Sequence, residues 1–361
     1  MSGVSNSYYE ILTIHNKLSA NFVKNDLGKH WTDRLWKFES GTNISLAQLL
    51  NFRSNSGLSL GLDDKANLID TKNVYDNLIL KWPMKEIINL SETSIGNPEA
   101  HSVNGISINY HDLFLINYAL DIYKYCHKRE RLRILEIGGG YGGLAYKLKK
   151  LMPDSIIYLI DIPQSLTLTR FYLSQLNPSF RFRYSSDIDN HFSDSNVDFV
   201  LLLPNEVFKV NEVHYDLVIN TRSMMEMPYR YIEFYFDLIQ KQIKVNGIFY
   251  LSNRYRKDTS GEKIKLRNYP YDNYWVLIDQ YKSFMQNHIH TIVSERVNIE
   301  NSSLKSFLMN LTDSSHASFI NPRVLNESRF STHKLFKILV LLYFNSRLSC
   351  FISQILRKLN N

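Results

Sequence analysis

The stretch Ile134-Leu-Glu-Ile-Gly-Gly-Gly-Tyr-Gly-Gly-Leu-Ala145 decides the fold of this chain. A short apolar run leads into a cluster of glycines, and apolar residues then recur at helical spacing at Leu144, Leu148 and Leu151. This order predicts a strand, a tight loop and a helix. Because glycine permits a positive φ and a close approach of the backbone to a ligand, the loop is a predicted binding element.

Glu136, just before the glycines, bears on which ligand the loop takes. Gly138, Gly140 and Gly143 fit the G-x-G-x-x-G spacing of a dinucleotide site, but alone that match is weak. A pyrophosphate favours a helix N-terminus with no carboxylate nearby, whereas S-adenosylmethionine has no phosphate and carries an ammonium and a sulfonium. The series Glu136, Gly138, Gly140, Gly142 resembles the first motif of the Rossmann-like methyltransferases and favours S-adenosylmethionine. A nicotinamide or flavin site, and a turn with no ligand, stay as alternatives.

Composition limits the class of protein. The chain has 361 residues, 44% hydrophobic and 21% charged, which is ordinary for a globular protein of one or two domains. Its net charge of +7 is spread out, so no nucleic-acid partner is expected. Cys126 and Cys350 stand in no metal or redox spacing, and no stretch reaches the ~18 apolar residues of a membrane span. With a polar N-terminus as well, a cytoplasmic protein is expected.

Strands and helices alternate from Arg131 onward, which predicts an α/β fold: a parallel Rossmann-like sheet with helices on both faces, preceded by a helical N-terminal region. Strands are predicted at Arg133–Ile137, Ser155–Ile160, Val197–Leu203, Tyr215–Asn220, Gly247–Ser252 and Thr291–Val297, while Phe180–Tyr184 is either a further short strand or part of a loop. Helices are predicted at Tyr8–Phe22, Val74–Leu90, Tyr110–Tyr125, Gly143–Leu151, Ser165–Leu176, Tyr229–Lys244 and Tyr274–Asn287, and a loop at Asn51–Gly61. The expected regions are a helical N-terminal part (1–105), a methyltransferase-type domain (106–310) and a C-terminal part (311–361).

The C-terminal part carries a basic amphipathic pattern. His333 to Asn361 contains five Lys or Arg and no acid, with apolar residues at helical spacing. The pattern favours a helix docked on the core or on a second subunit; the alternative is a peripheral contact with an anionic membrane surface.

Acids near the ends of the next strands are candidates for the nucleoside part of the cofactor. Asp161 ends the second strand, where a carboxylate can accept both ribose hydroxyls; capping the helix that follows is the alternative. The contact near adenine falls to Asp187 if Phe180–Tyr184 is the third strand. If Val197–Leu203 is the third strand, which its more apolar character favours, Asn205 or Glu206 takes that role.

Polar residues also follow the Tyr215–Asn220 strand, where an acceptor must approach the methyl group. Asn220 is predicted to contact the cofactor, Arg222 to bind an acceptor oxygen or neutralise a carboxylate, and Glu226 to act as general base. An N-terminal helix charge at Glu226, paired with Arg222, is the alternative. Asn253 and Arg254 are further candidates as acceptor contacts, and His111 is a candidate base if its helix packs over the site.

Five segments together resemble a family of sugar O-methyltransferases found in bacterial surface-polysaccharide clusters: Ile95–Pro98, Glu136–Ala145, Asp161–Pro163, Asn220–Met227 and Leu251–Arg254. The resemblance covers about residues 90 to 300. It implies S-adenosylmethionine as donor and a sugar, nucleotide-sugar or glycan hydroxyl as acceptor. A nicotinamide-dependent sugar-modifying enzyme, a non-catalytic binding protein and a nucleic-acid methyltransferase are the alternatives. No metal ligand set stands out, and a homo-oligomer is left open.

Overall fold

Apolar side chains cover both faces of the strand that leads into the glycine loop. The computed structural model describes residues 2–22, 44–55, 67–188, 193–258, 262–283, 285–286 and 288–312. In strand β3 (Arg133–Ile137), Ile134 and Leu135 are fully buried in two different hydrophobic clusters. Because successive strand residues point to opposite faces, the sheet is covered on both sides.

The central sheet has eight strands and is mostly parallel. The strands of the described chain are β1 (Ala100–Val103), β2 (Ile106–Asn109), β3, β4 (Ile156–Ile160), β5 (Phe182–Tyr184), β6 (Phe199–Leu202), β7 (Tyr215–Thr221), β8 (Ile243–Arg254), β9 (Arg256–Lys257), β10 (Ile264–Lys265), β11 (Trp275–Lys282) and β12 (Ile289–Arg296). The sheet order is β11-β12-β8-β7-β3-β4-β6-β5, and β12 runs antiparallel to both of its neighbours. The chain leaves β3 toward one edge and returns at β7 toward the other. The crevice beyond the carboxyl ends of β3 and β7 is therefore the switch point where such sheets bind ligands.

Helices pack on both faces of this sheet. Before it come α1 (Ser2–Ala20), α2 (Leu46–Leu50), α3 (Phe52–Asn55), α4 (Leu68–Lys81) and α5 (Met84–Leu90); α6 (Tyr110–Cys126), α7 (Gly143–Leu151), α8 (Pro163–Leu176), α9 (Tyr229–Gln242) and α10 (Ser303–Asn310) follow. Helices α1, α6, α7 and α8 contribute to one hydrophobic cluster, and α9 and α10 to the other. The predicted α/β class, with a Rossmann-like sheet behind a helical N-terminal region, is confirmed. One cluster runs from Ile11 through Phe52 to Val293, so residues before and after position 105 share a core.

The helix predicted at Tyr274–Asn287 is wrong, because Trp275–Lys282 is strand β11. This segment pairs with β12 from Trp275↔Arg296 to Lys282↔His290, with one register shift between Leu277 and Asp279. Its aromatic and β-branched residues suit a strand, and pairing with β12 outweighs the apolar spacing that suggested a helix.

The loop predicted at Asn51–Gly61 is wrong at its start, since Phe52–Asn55 forms the helical turn α3. Phe52 and Arg53 are fully buried there. Val74–Leu90 is helical but divides at Pro83 into α4 and α5. The hairpin β1–β2, which the sequence reading missed, turns at Asn104 and Gly105, both with positive φ.

The third-strand question is settled by β6, which lies beside β4 in parallel register, while β5 forms the outer edge. No helix among the described residues is long and apolar enough to cross a membrane. The basic segment His333–Asn361, with its predicted helix, lies outside the described residues.

Candidate active site

The glycine loop between β3 and α7 has the conformation that its sequence predicts. Gly138, Gly140 and Gly142 have φ of 75°, 60° and 85°, a region that side chains with a Cβ rarely occupy. A Cβ at Gly138 would lie 2.2 Å from the Ser223 Oγ, whereas one at Gly140 would meet no atom within 4 Å. The loop is thus packed tightly against Ser223, just after β7, at Gly138 and faces open space at Gly140.

Glu136 lies beneath this loop. Its side chain is 2% exposed, and its Oε2 has no hydrogen-bond partner among the described residues. A Cβ built on Gly139 would lie 3.3 Å from the Glu136 Cδ, which places the carboxyl under the loop backbone. Burial first, and the nearby charge of Asp161 second, raise the pKa of Glu136 to about 8.

Asp161 follows β4 and ties it to the loop. Its Oδ2 accepts the Gly140 N–H at 2.8 Å and its Oδ1 accepts the Ile162 N–H at 2.7 Å. The side chain stays partly exposed. Burial raises the pKa of Asp161 to about 6, with a contribution from the charge of Glu226, although the two backbone hydrogen bonds act the other way. An ionised carboxylate offers about four acceptor positions, so the two Asp161 oxygens can accept ribose hydroxyls in addition to these backbone N–H groups.

The residues predicted near adenine lie after β6. Asn205 is exposed, and its amide donates to the Asn21 carbonyl at 2.9 Å. Glu206 is buried and holds the Ser185 hydroxyl and the Lys209 ammonium, the latter at 2.8 Å. The Glu206 carboxylate therefore already has protein partners, and an adenine contact by either residue stays a prediction. Asp187, the other candidate, forms an ion pair with Lys17 of α1.

Two buried asparagines hold the strand ends together at the switch point. The Asn220 amide donates to the Ile137 carbonyl at 2.8 Å, and its Oδ1 accepts the Asn253 amide at 2.8 Å. The Asn253 Oδ1 accepts the Met225 N–H at 3.3 Å. Both side chains are fully buried, so the observed contacts make them positioning residues for β3, β7 and β8; the ligand contacts predicted for them stay untested.

Ser223 completes this junction; it lies in the Asn220–Met227 segment of the resemblance, but no role was predicted for it. Its hydroxyl donates to the Ile137 carbonyl at 2.9 Å and occupies the space that a Gly138 side chain would need. The pairing of a loop glycine with a serine 85 positions later leaves no local signal in the sequence.

The side of the site formed by β7 and β8 carries an ion pair between Glu226 and Lys257. The Lys257 Nζ lies 2.6 Å from the Glu226 Oε1, and the two side chains are 12% and 16% exposed. Burial lowers the pKa of Lys257, with Arg254 and Arg222 acting in the same direction and Glu226 opposing them. Sequence reasoning named Glu226 but paired it with Arg222; Lys257 was missed.

Arg222 and Arg254 stand at the ends of β7 and β8. Arg222 has a φ of 65°, and its Nη1 donates to the Gln286 Oε1 at 2.8 Å. The Arg254 backbone N–H meets the Met225 Sδ at 3.3 Å, and its Nε is buried without a hydrogen-bond partner among the described residues. Both predicted acceptor-binding cations thus lie near Glu226 and Lys257.

His111 lies on the first turn of α6, with its ring edge-on to Tyr141 of the glycine loop at 6.0 Å. Burial, together with the positive charges of Arg53, Arg222 and Lys147, lowers the pKa of His111 to about 3. A ring with so low a pKa is neutral at pH 7. The first turn of this helix lies against the glycine loop, and a role for His111 as base stays a prediction.

A buried network from the N-terminal region supports the loop from below. Arg53 donates to the Glu92 Oε2 at 2.7 Å, and its guanidinium lies 5.4 Å from the Tyr141 ring centre. The Tyr172 hydroxyl of α8 also donates to Glu92, at 3.1 Å. Arg53 and Glu92 had no motif to mark them in the sequence.

Comparisons with known proteins give a fold likeness. No protein-family model matches this chain, and no curated protein matches it. Among solved structures, TrmN from Thermus thermophilus is 14% identical over 51% of this chain and 49% of its own, with a TM-score of 0.35. The mitomycin 7-O-methyltransferase MmcR is 10% identical over 52% and 57%, at 0.34, and a precorrin-6y C5,15-methyltransferase from Geobacter metallireducens GS-15 is 14% identical over 55% and 95%, at 0.32. The chain thus spans about half the length of TrmN.

Proposed function

We propose that this chain is an S-adenosylmethionine-dependent O-methyltransferase that acts on a sugar hydroxyl. One observation carries the donor assignment: the Glu136 carboxyl is buried beneath the glycine loop with an oxygen that has no protein partner among the described residues. A buried acid is costly unless a ligand uses it, and a carboxylate at this place attracts a cation and repels a phosphate.

The residues at the switch point fit S-adenosylmethionine. Glu136 would hold its positively charged part, Gly140 leaves room for close approach, and Asp161 would hold the ribose. The order of the sheet agrees, because the antiparallel strand β12 lies between β8 and β11, whereas the dinucleotide fold has the parallel order 3-2-1-4-5-6.

Bound S-adenosylmethionine supplies a methyl group already activated on a sulfonium. What remains for the protein is to place an acceptor oxygen in line and to remove its proton. The Glu226 carboxylate accepts that proton, and Lys257 holds the carboxylate in position through the 2.6 Å contact. Asn220 and Asn253 keep the ends of β7 and β8 fixed, so Arg222 and Arg254 are presented at the same edge.

The sugar acceptor is supported by the resemblance of the five segments, two of which, Asn220–Met227 and Leu251–Arg254, form this side of the site. Arginine, lysine and glutamate side chains there suit a polar acceptor. An apolar acceptor would desolvate Arg222 and Arg254 without supplying a partner for them, at a high cost in free energy.

Thermal unfolding with two ligands tests the donor assignment. S-adenosylhomocysteine, the product nucleoside, should raise the melting temperature, because it binds the folded state alone, and it should do so more than NAD. Methyl transfer from labelled S-adenosylmethionine to sugars, nucleotide sugars and glycans then tests the acceptor. Stabilisation by NAD without stabilisation by S-adenosylhomocysteine would overturn the proposal in favour of a nicotinamide-dependent enzyme.

A further inference from the structure

Arg254 is a cation without a counter-ion contact at the acceptor side of the sheet. Among the described residues, its Nε is shut off from solvent and finds no hydrogen-bond acceptor. The backbone N–H of Arg254 is held by Met225, and its strand neighbours Asn253 and Ser252 are fully buried, so the residue is fixed at its base. Arg254 as a whole is half-buried, so this one N–H is desolvated while the rest of the guanidinium can reach a ligand. A buried donor without an acceptor is expensive in free energy unless a ligand supplies one.

The charges near Arg254 make the imbalance larger. Burial lowers the pKa of Arg254 most, and the nearby positive charge of Arg222 lowers it further. Of the described residues, only Glu226 raises it. Glu226 is already 2.6 Å from Lys257. Among the described residues, neither Arg222 nor Arg254 forms an ion pair, and the carboxylate that acts on Arg254 is already held by Lys257.

Arg222 is also held in an unusual way. Its φ of 65° is rare for a residue with a side chain and persists only where the surroundings impose it. Its N–H donates to the Ser252 carbonyl at 2.8 Å, and its Nη1 binds the neutral Gln286 side chain. Arg222 is therefore held in place without being neutralised, as a binding group for an anion would be.

We propose that the acceptor of this enzyme carries an anionic group, a phosphate or a carboxylate, that binds to Arg254 and Arg222 beside the Glu226–Lys257 pair. This inference rests on the proposed function, because it concerns the methyl acceptor, but the anion site can be tested without methyl transfer. A guanidinium offers a planar set of donors that matches phosphate and carboxylate oxygens in pairs, so both groups fit the same two arginines. Nucleotide sugars and glycosyl phosphates provide the first chemistry and uronic acids the second.

Calorimetric titration of the full chain with inorganic diphosphate, UDP and glucuronate tests the site, in the presence and absence of S-adenosylhomocysteine. The wild type should bind at least one of these anions. R254Q should weaken that binding at least tenfold, and R254K should weaken it less, because it keeps the charge but loses the paired donors. Preference for diphosphate and UDP assigns a phosphorylated acceptor, and preference for glucuronate assigns a uronic acid.

The matched control is R183Q. Arg183 is exposed on β5, five strand positions from β8 and so roughly 24 Å away. Its substitution should therefore leave anion affinity unchanged. Binding of S-adenosylhomocysteine to R254Q with wild-type affinity shows that the variant is folded. No binding of any of the three anions to the wild type, or equal binding to the wild type and R254Q, overturns the inference. Failure of S-adenosylhomocysteine to bind the wild type would instead refute the proposed donor and leave the anion titrations to be judged alone.

Discussion

Glu136 is costly to the fold, and the proposed function explains why it is there. The carboxyl is buried and its Oε2 accepts no hydrogen bond from the part of the chain that the structure describes. Its pKa therefore rises to about 8, and the isolated protein holds it protonated at neutral pH. A cationic ligand reverses this preference by supplying the missing opposite charge. The residue thus lowers stability in the free protein and contributes to binding in the complex.

Replacing this acid should stabilise the free protein in a pH-dependent manner. Its pKa is about 8 in the folded chain, against an ordinary value of 4.5, so unfolding releases a proton between these two values and stability falls as pH rises through that window. E136Q lacks this loss. Thermal melts at about pH 5 and about pH 8 should therefore show an advantage of E136Q that grows with pH, up to a few kcal/mol. An advantage that does not change with pH would contradict the burial argument.

Glu226 should be needed for turnover but not for cofactor binding. E226Q keeps the shape of the side chain and its contact with Lys257 but removes the proton acceptor. We expect kcat to fall by about 10²–10⁴ while S-adenosylhomocysteine affinity stays the same. E233Q, on the exposed face of α9, is the matched control and should keep full activity. Unchanged kcat in E226Q would remove Glu226 from the mechanism.

At the residue scale, the sequence predicts the acids and glycines of the loop because their signal is local. Glu136 and Asp161 stand at the ends of apolar runs, and those runs predict the strands that position them. Ser223, Lys257 and Arg53 could not be predicted, since their roles depend on residues far away in the chain. The predicted roles of Asn220 and Asn253 meet the same limit, because a strand-end amide can bind a ligand or a neighbouring strand equally well.

At the scale of elements, buried strands and amphipathic helices of the sheet were predictable, and paired edge elements were not. Strand β11 has apolar residues that also fit a helix, and only its pairing with β12 decides between the two. The β1–β2 hairpin was not predicted, although its Asn104-Gly105 dipeptide is typical of a tight hairpin turn.

The glycine loop allows a matched pair of substitutions. G138A and G140A both impose a positive φ on alanine, at about 1–2 kcal/mol each, but only the first places a Cβ 2.2 Å from Ser223. G138A should therefore lower the melting temperature clearly more than G140A. G140A should instead weaken S-adenosylhomocysteine binding, because its Cβ points into the open space of the site. Equal melting temperatures, or wild-type affinity in G140A, would contradict this description of the loop.

At the scale of the whole molecule, the N-terminal region is part of the support of the site. Phe52 packs 5.3 Å from Tyr141 of the glycine loop, and Arg53 links Glu92 to Asn109. The helical character of this region was predictable from apolar spacing. Its attachment to the loop was not, since a buried arginine and its partner 39 residues later form no sequence pattern.

Breaking this link should destabilise the entire fold. R53M leaves the buried Glu92 without its cation and should cost about 3–5 kcal/mol of unfolding free energy, measured by urea denaturation. The double variant R53M/E92Q removes both charges and should recover part of that loss. If R53M unfolds at the wild-type urea concentration, or if the double variant is less stable by the sum of both single changes, the ion pair does not anchor the region.

The most direct measurement is calorimetric titration of S-adenosylmethionine into the wild type and E136Q, in two buffers of different ionisation heat. Since the free Glu136 is protonated below about pH 8 and the cationic ligand needs its carboxylate, the wild type should release about one proton per ligand at about pH 6.5 and bind more tightly as the pH rises. E136Q should bind more weakly and lose this proton release. Identical proton release in both proteins, or binding of NAD where S-adenosylmethionine does not bind, would contradict a cation-selecting carboxylate beneath the glycine loop.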